Sequence, residues 1–194
     1  MREIIDDVRK WLAAGQSVAL ATVVQTWGSA PRGVGAKMAI TGDGKLAGSI
    51  SGGCIEGAVA QTASEVLNGA QPSLLTFGVA DETAWKVGLA CGGTIQVFVE
   101  RLVDEDFSVV DQMLSEEQSG GVVKVFGGPE DWLARRLIVS FEGRPLGTID
   151  NTVDKDVLSA TKAAIRQGSS RRLSLPAKQL DLFIDVINPP HTLI

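Results

Sequence analysis

Histidine is almost missing from this sequence: among 194 residues the sole example is His191, three residues from the end. One histidine at a chain end is poor material for a general base. No Ser-His-Asp or Cys-His arrangement can be assembled from it, so the residues do not describe a conventional hydrolase. Cysteine is nearly as scarce. Cys54 and Cys91 are the whole complement, too few for a disulfide framework and without the close pair that zinc requires. They read as free thiols of a reducing compartment. Long apolar runs are missing as well. The longest, around residues 18–24, falls far short of the ~20 residues that span a bilayer. The first residues, MREIIDDVRKW, are charged throughout and lack the apolar centre of a signal peptide. From these absences the protein is expected in the cytoplasm and off the membrane. Neither charge sign forms a block, and a net charge of -5 with a pI near 4.9 argues against a nucleic-acid or anionic-membrane surface.

What is present is an ordinary globular composition, 44% hydrophobic and 21% charged, with a repeated order of elements. Residues 3–14 carry Ile4, Ile5, Val8, Trp11 and Leu12 on one helical face, stopped at Gly15. A strand over 17–24 follows, then a hairpin (AKMAI, a Gly-Asp-Gly turn, KLAGSI), a helix over 55–67 and the strand TIQVFVERL. The second half has a helix over 107–114, a strand over 122–126, the hairpin RRLIV…PLGTI, a helix over 153–167 and the strand QLDLFIDVI. A shift of 99 positions sets Met38 on Leu137, Gly48 on Gly147, Ile50 on Ile149, Thr62 on Thr161 and Gly69 on Gly168, and SGGC (51–54) on DNTV (150–153). The expected fold is therefore α/β, α+β in local character, with mixed β-sheets, flanking helices and two pseudo-repeats. Its expected divisions are 1–103, 104–188 and a terminal linker or strand over 189–194.

Both cysteines and most glycine-rich loops fall in the first copy, which reads as the site, with the second copy as scaffold. In GSISGGCIEG (48–57), Ser51, Gly52 and Gly53 precede Cys54 where a strand gives way to a helix. Backbone amides and the helix dipole there favour an anion: a thiolate, a phosphate or an oxo group. The plainer alternative is a tight turn around a small buried cysteine. GLACGGTI (88–95) sets Cys91 before Gly92 and Gly93 in a similar way. The two thiols could meet a metal centre, form a redox pair or carry sulfur, and spacing does not separate these. WGSAPRGVGAKM (27–38) offers Arg32 and Lys37 to anionic groups. Its Gly33-Val34-Gly35 leads into a strand and is no dinucleotide fingerprint. Trp27 and Trp85 are expected to pack loops together. Glu56 and Asp81-Glu82 are acids of a helix start and a loop.

Taken together, GSAPRGVGAKM, GSISGGCIEGAV and GLACGGTIQVFVE, in this order over about residues 1–103, resemble the N-terminal region of the XdhC/CoxI family. The resemblance implies a molybdenum cofactor (molybdopterin) chaperone. Such a protein protects or sulfurates the cofactor and helps insert it into xanthine dehydrogenase- or CO dehydrogenase-like enzymes. It implies contact with cofactor at Cys54, Cys91 and the glycines around them. It also implies partnership with an apo molybdenum hydroxylase and a cysteine desulfurase, and homodimerisation. LFIDVINPPHTLI resembles the segment leading into a Rossmann domain in that family. No glycine-rich nucleotide turn follows it, so neither NAD nor FAD is assigned to this chain, and a Rossmann-containing partner chain is an expectation. Two other readings stay open: a thiol-based sulfur-transfer or redox enzyme, and a cofactor-free docking module between desulfurase and apo-dehydrogenase.

Overall fold

The computed structural model describes residues 1–78 and 92–189. The chain divides into two units, Met1–Leu102 and Val103–Ile194. In the first, α1 (Ile5–Ala13) leads into β1 (Val18–Trp27), β2 (Lys37–Thr41), β3 (Leu46–Gly48), α2 (Glu56–Leu67), β4 (Ser73–Phe77) and β5 (Thr94–Arg101). The second contains α3 (Asp104–Ser115), β6 (Gly120–Gly127), β7 (Arg136–Ser140), β8 (Pro145–Thr148), α4 (Asp154–Gln167), β9 (Arg171–Leu175) and β10 (Leu180–Ile187). Each unit holds one five-stranded sheet, ordered β3-β2-β1-β5-β4 and β8-β7-β6-β10-β9. The two units repeat one topology.

All the described strand pairings are antiparallel, where mixed sheets were expected. The helical crossover explains the difference. β3 and β4 run in the same direction, yet α2 carries the chain between opposite edges of the sheet, so these two strands never become neighbours. β4 and β9 themselves were not anticipated. Each is a short edge strand, and the second opens on Arg171 and Arg172, so neither shows the apolar run that marks a central strand such as β5 or β10.

Alternation in β1 and β2 sends Ala19, Ala21, Val23, Met38 and Ile40 to one sheet face, where Val59, Ala63 and Val66 of α2 cover them. The second unit builds the same core from Val123, Val125, Leu137, Val139, Leu182 and Ile184 under Val157 and Ala164 of α4. Full burial of such side chains contributes about 1.5–3 kcal/mol each before entropy is subtracted. The helices also locate the repeat register. Ile55, Val59, Ala63 and Val66 occupy the buried places of Val153, Val157, Thr161 and Ala164, an offset of 98 rather than 99. The first unit thus has one extra residue between Ile50 and Glu56, and it is Ile55, not Cys54, that corresponds to Val153.

Each of the four described helices ends in a positive-φ residue that lets two amides reach back to the last turn. For α1, Gly15 donates to the Leu12 carbonyl and Gln16 to that of Trp11. In α3 this position is Glu117, at φ +53, with Glu117 and Gln118 donating to Leu114 and Met113. A side chain there carries a strain that glycine does not. Glu117→Gly is expected to raise stability by about 0.5–1 kcal/mol, read from the urea midpoint of the transition that includes α3. An unchanged or lower midpoint would show that this helix end is not strained.

Candidate functional site

Strand direction brings the three glycine-rich loops to one end of the first sheet. β1 finishes at Trp27 beside Thr94, the start of β5, while β2 starts at Lys37, across from Thr22. Gly48, the last residue of β3, pairs with Met38, and Phe77, the last of β4, pairs with Ile95. Loops 28–36, 49–55 and the connection beginning at Gly78 all leave from that end. Within it, Gly93 lies against Trp27 and Ser29: a Cβ added to Gly93 would stand 2.5 Å from the Ser29 carbonyl oxygen. Gly92 is exposed and Gly93 buried. Cys91, Trp85, Asp81, Glu82 and His191 lie outside the described residues.

The turn at 49–55 is organised by a side chain absent from the expected site. Glu56, the first residue of α2, folds its carboxylate back under the preceding turn. Oε1 accepts from Ser49 Oγ (2.8 Å) and the amides of Ile50, Ser51 and Gly52 (3.3, 2.9 and 3.1 Å). Oε2 accepts from the Ser51 hydroxyl and from the amides of Gly53 and Ile55 (2.9 and 3.2 Å). Gly52 and Gly53 reach this geometry at φ +81° and +116°, which L side chains rarely adopt. Burial works to raise the Glu56 pKa, but hydrogen bonds from the Ser51 hydroxyl and amide and from Ser49 outweigh it and hold the carboxyl at about 2.

The amides that a sequence reading reserves for a phosphate, an oxo group or a thiolate are therefore already given to Glu56. The only sequence signal was an acid at the first helical position, which reads equally as a partner of the helix dipole. Ser51 is buried and caps the turn, its Oγ accepting from the Cys54 amide at 3.0 Å. Gly52 and Gly53 are exposed, with open space where a Cβ would project. Cys54 is half-buried and packs against the α2 core.

The two cations do not join this turn. Arg32 Nη2 pairs with Glu3 Oε2 at 2.5 Å. Lys37 is buried, and its Nζ donates to Thr22 Oγ1 at 3.2 Å. Because Met38 faces α2, its neighbour Lys37 projects to the other side of the sheet. Its expected availability to an anion is corrected accordingly. A lysine at a strand start reads as exposed, and only the sheet decides which face it meets. Among the described residues no group of three or more His, Cys, Asp and Glu side chains could hold a metal ion, and no helix is long and apolar enough to cross a membrane.

Comparison with known proteins places this turn inside a matched segment. Residues 11–78 match the profile of the XdhC and CoxI family. A Bacillus subtilis (strain 168) protein named as a probable xanthine dehydrogenase subunit is 36% identical over 92 residues, covering 46% of this chain and 28% of that protein. The Escherichia coli (strain K12) protein named molybdenum cofactor insertion chaperone PaoD is 34% identical over 92 residues, covering 47% and 28%. The chain spans 28% of the length of these two curated relatives. Among solved structures, a Bacillus halodurans protein described as a xanthine dehydrogenase superposes with a TM-score of 0.68 at 22% identity. The match covers 95% of this chain and 52% of that one, and it shows the fold alone.

Proposed function

From the premise that residues 11–78 belong to the XdhC and CoxI family, we propose that this chain is an accessory chaperone for molybdenum cofactor. Its cargo would go to a xanthine dehydrogenase-like molybdenum hydroxylase. The observation that carries the reading is the turn at 49–55: a cysteine and two exposed glycines, hydrogen-bonded to Glu56 and Ser51 inside the matched segment and at the sheet end shared by the other glycine-rich loops. The relative named as a molybdenum cofactor insertion chaperone supports it.

The residues fit such a cargo in part. A thiol suits the soft, sulfur-rich surroundings of the metal, either as a contact or as a shield for a labile sulfido ligand. The turn's amides do not suit the phosphate, since Glu56 holds them. Arg32 is the better phosphate candidate, because an ion pair this exposed is weak and exchangeable. Gly92, Gly93 and Cys91 complete the proposed contact set. A cysteine desulfurase as sulfur donor, a Rossmann-containing partner chain and a homodimer belong to the same proposal, with the cytoplasm as its location.

Anaerobic titration with molybdenum cofactor, followed by absorbance and gel filtration, tests the assignment. Saturable binding is expected, weakened about tenfold or more by Cys54→Ser. Binding that appears only with a Rossmann-containing partner would mean that the site is shared between chains. No binding in either format, together with cofactor-free binding to desulfurase and apo-dehydrogenase, would replace the carrier by a docking module.

A further inference from the structure

The two units hold the same joint with different acids. In the second unit Asp154 opens α4 as Glu56 opens α2. Its carboxylate accepts from Thr148 Oγ1 at 2.5 Å and from the amides of Ile149 and Asp150 at 2.9 and 3.1 Å. Ser49, Ile50 and Ser51 make the matching contacts to Glu56. This shared part is the fold's device for joining an edge strand to the crossover helix. The first unit adds to it. The Ser51 hydroxyl and the amides of Gly52, Gly53 and Ile55 also turn onto Glu56. These contacts gather the segment lengthened by one residue in the first unit, which contains Cys54.

Aspartate suffices for the joint, so the longer glutamate and the additional amides need another reason. We propose that Glu56 is the positioning residue of the Cys54 turn: it fixes the thiol by gathering the Gly52 and Gly53 amides, and the same contacts close the turn to phosphate. Cargo then meets this turn through Cys54 rather than as an anion, and its phosphate is held elsewhere. The identity of the cargo rests on the carrier reading above; the positioning of the thiol does not.

Glu56→Asp separates the two parts of the contact set. The shorter acid keeps the partners that Asp154 has in the second unit and gives up the exposed glycine amides, which water can satisfy. In the full chain carrying Cys91→Ser, Glu56→Asp is expected to keep the thermal midpoint within a few degrees. It is expected to change the rate of Cys54 alkylation by iodoacetamide at least fivefold. With Cys91 intact, retention of molybdenum cofactor is expected to fall by a similar factor. An unchanged alkylation rate would overturn the proposal, whatever happens to retention. A changed rate with retention untouched would uphold the positioning role and remove Cys54 as the contact to the cargo, whereas no retention by the natural chain would remove the carrier reading and leave the positioning role standing. Inorganic phosphate gives a second test that needs no variant. The Gly52 and Gly53 amide resonances of the natural chain are expected not to move, and saturable shifts there would overturn the closed turn.

Discussion

Gly48→Ala is expected to lower stability by about 3–5 kcal/mol, whereas Gly147→Ala, at the equivalent place in the second unit, is expected to cost about 1–2 kcal/mol. Gly48 is the last residue of β3 and Gly147 the residue before the last of β8; both have positive φ, +78° and +83°, so both substitutions introduce backbone strain. What differs is the space. A Cβ on Gly48 would lie 2.4 Å from the Lys37 carbonyl oxygen and 2.5 Å from Ile4 Cγ2. The first of these is backbone in the paired strand and cannot swing aside. On Gly147 the nearest atom is the Arg136 carbonyl oxygen at 3.1 Å, a contact that relaxes with a small shift. For a unit of about 100 residues each kcal/mol moves the midpoint by roughly 4–8 °C, so thermal unfolding resolves the two classes easily. Equal losses at both glycines would mean that strain alone, and not the close approach to Lys37, sets the cost.

The second large effect is Glu56→Gln, for which a loss of about 2–3 kcal/mol is expected. Glutamine keeps the shape but brings an NH2 group against backbone N–H donors and lacks the charge that gathers them. The pH dependence follows from the direction of the Glu56 shift. Its folded pKa, about 2, lies below the ordinary 4.5. The stabilisation by the carboxylate is therefore complete above about pH 4.5 and is lost as the pH falls toward 2. With solvent screening of a half-buried group, this linked part amounts to about 1–2 kcal/mol. Urea midpoints of the natural chain and Glu56→Gln should differ most near neutrality and converge as the pH drops through that window. A gap that stays constant from pH 6 to pH 2.5 would show that the charge of Glu56 contributes nothing. Other acids titrate in the same range, Asp43 also at about 2, which is why the comparison between the two proteins carries the test.

How much of this was legible depended on the length scale of each signal. Helical spacing of Ile4, Ile5 and Val8 gave α1, and Gly15 and Gly69 marked real helix ends at positive φ. The β5 and β10 segments were visible because central strands are apolar on both faces. Edge strands β4 and β9 were not, since one face and one rim meet water and the pattern fades. The shift of 99 held along the hairpins and failed by one residue at Cys54, because identities such as Thr62 with Thr161 compete with burial, and burial sets the register.

The sequence by itself determined the class of the fold, its internal repetition and the three glycine-rich segments, two of which lie within the stretch that matches the XdhC and CoxI family profile. These reside in local periodicity and in residue types whose backbone preferences need no neighbours. The tertiary structure decided that those segments leave one end of one sheet. It set Lys37 on the face away from Cys54, and it gave the inviting amides of Gly52 and Gly53 to Glu56. Strand direction, sheet face and the partner of a hydrogen-bond donor are properties of the assembled chain. A row of unpaired amides attracts whatever negative charge folds nearest, and here that charge is the chain's own.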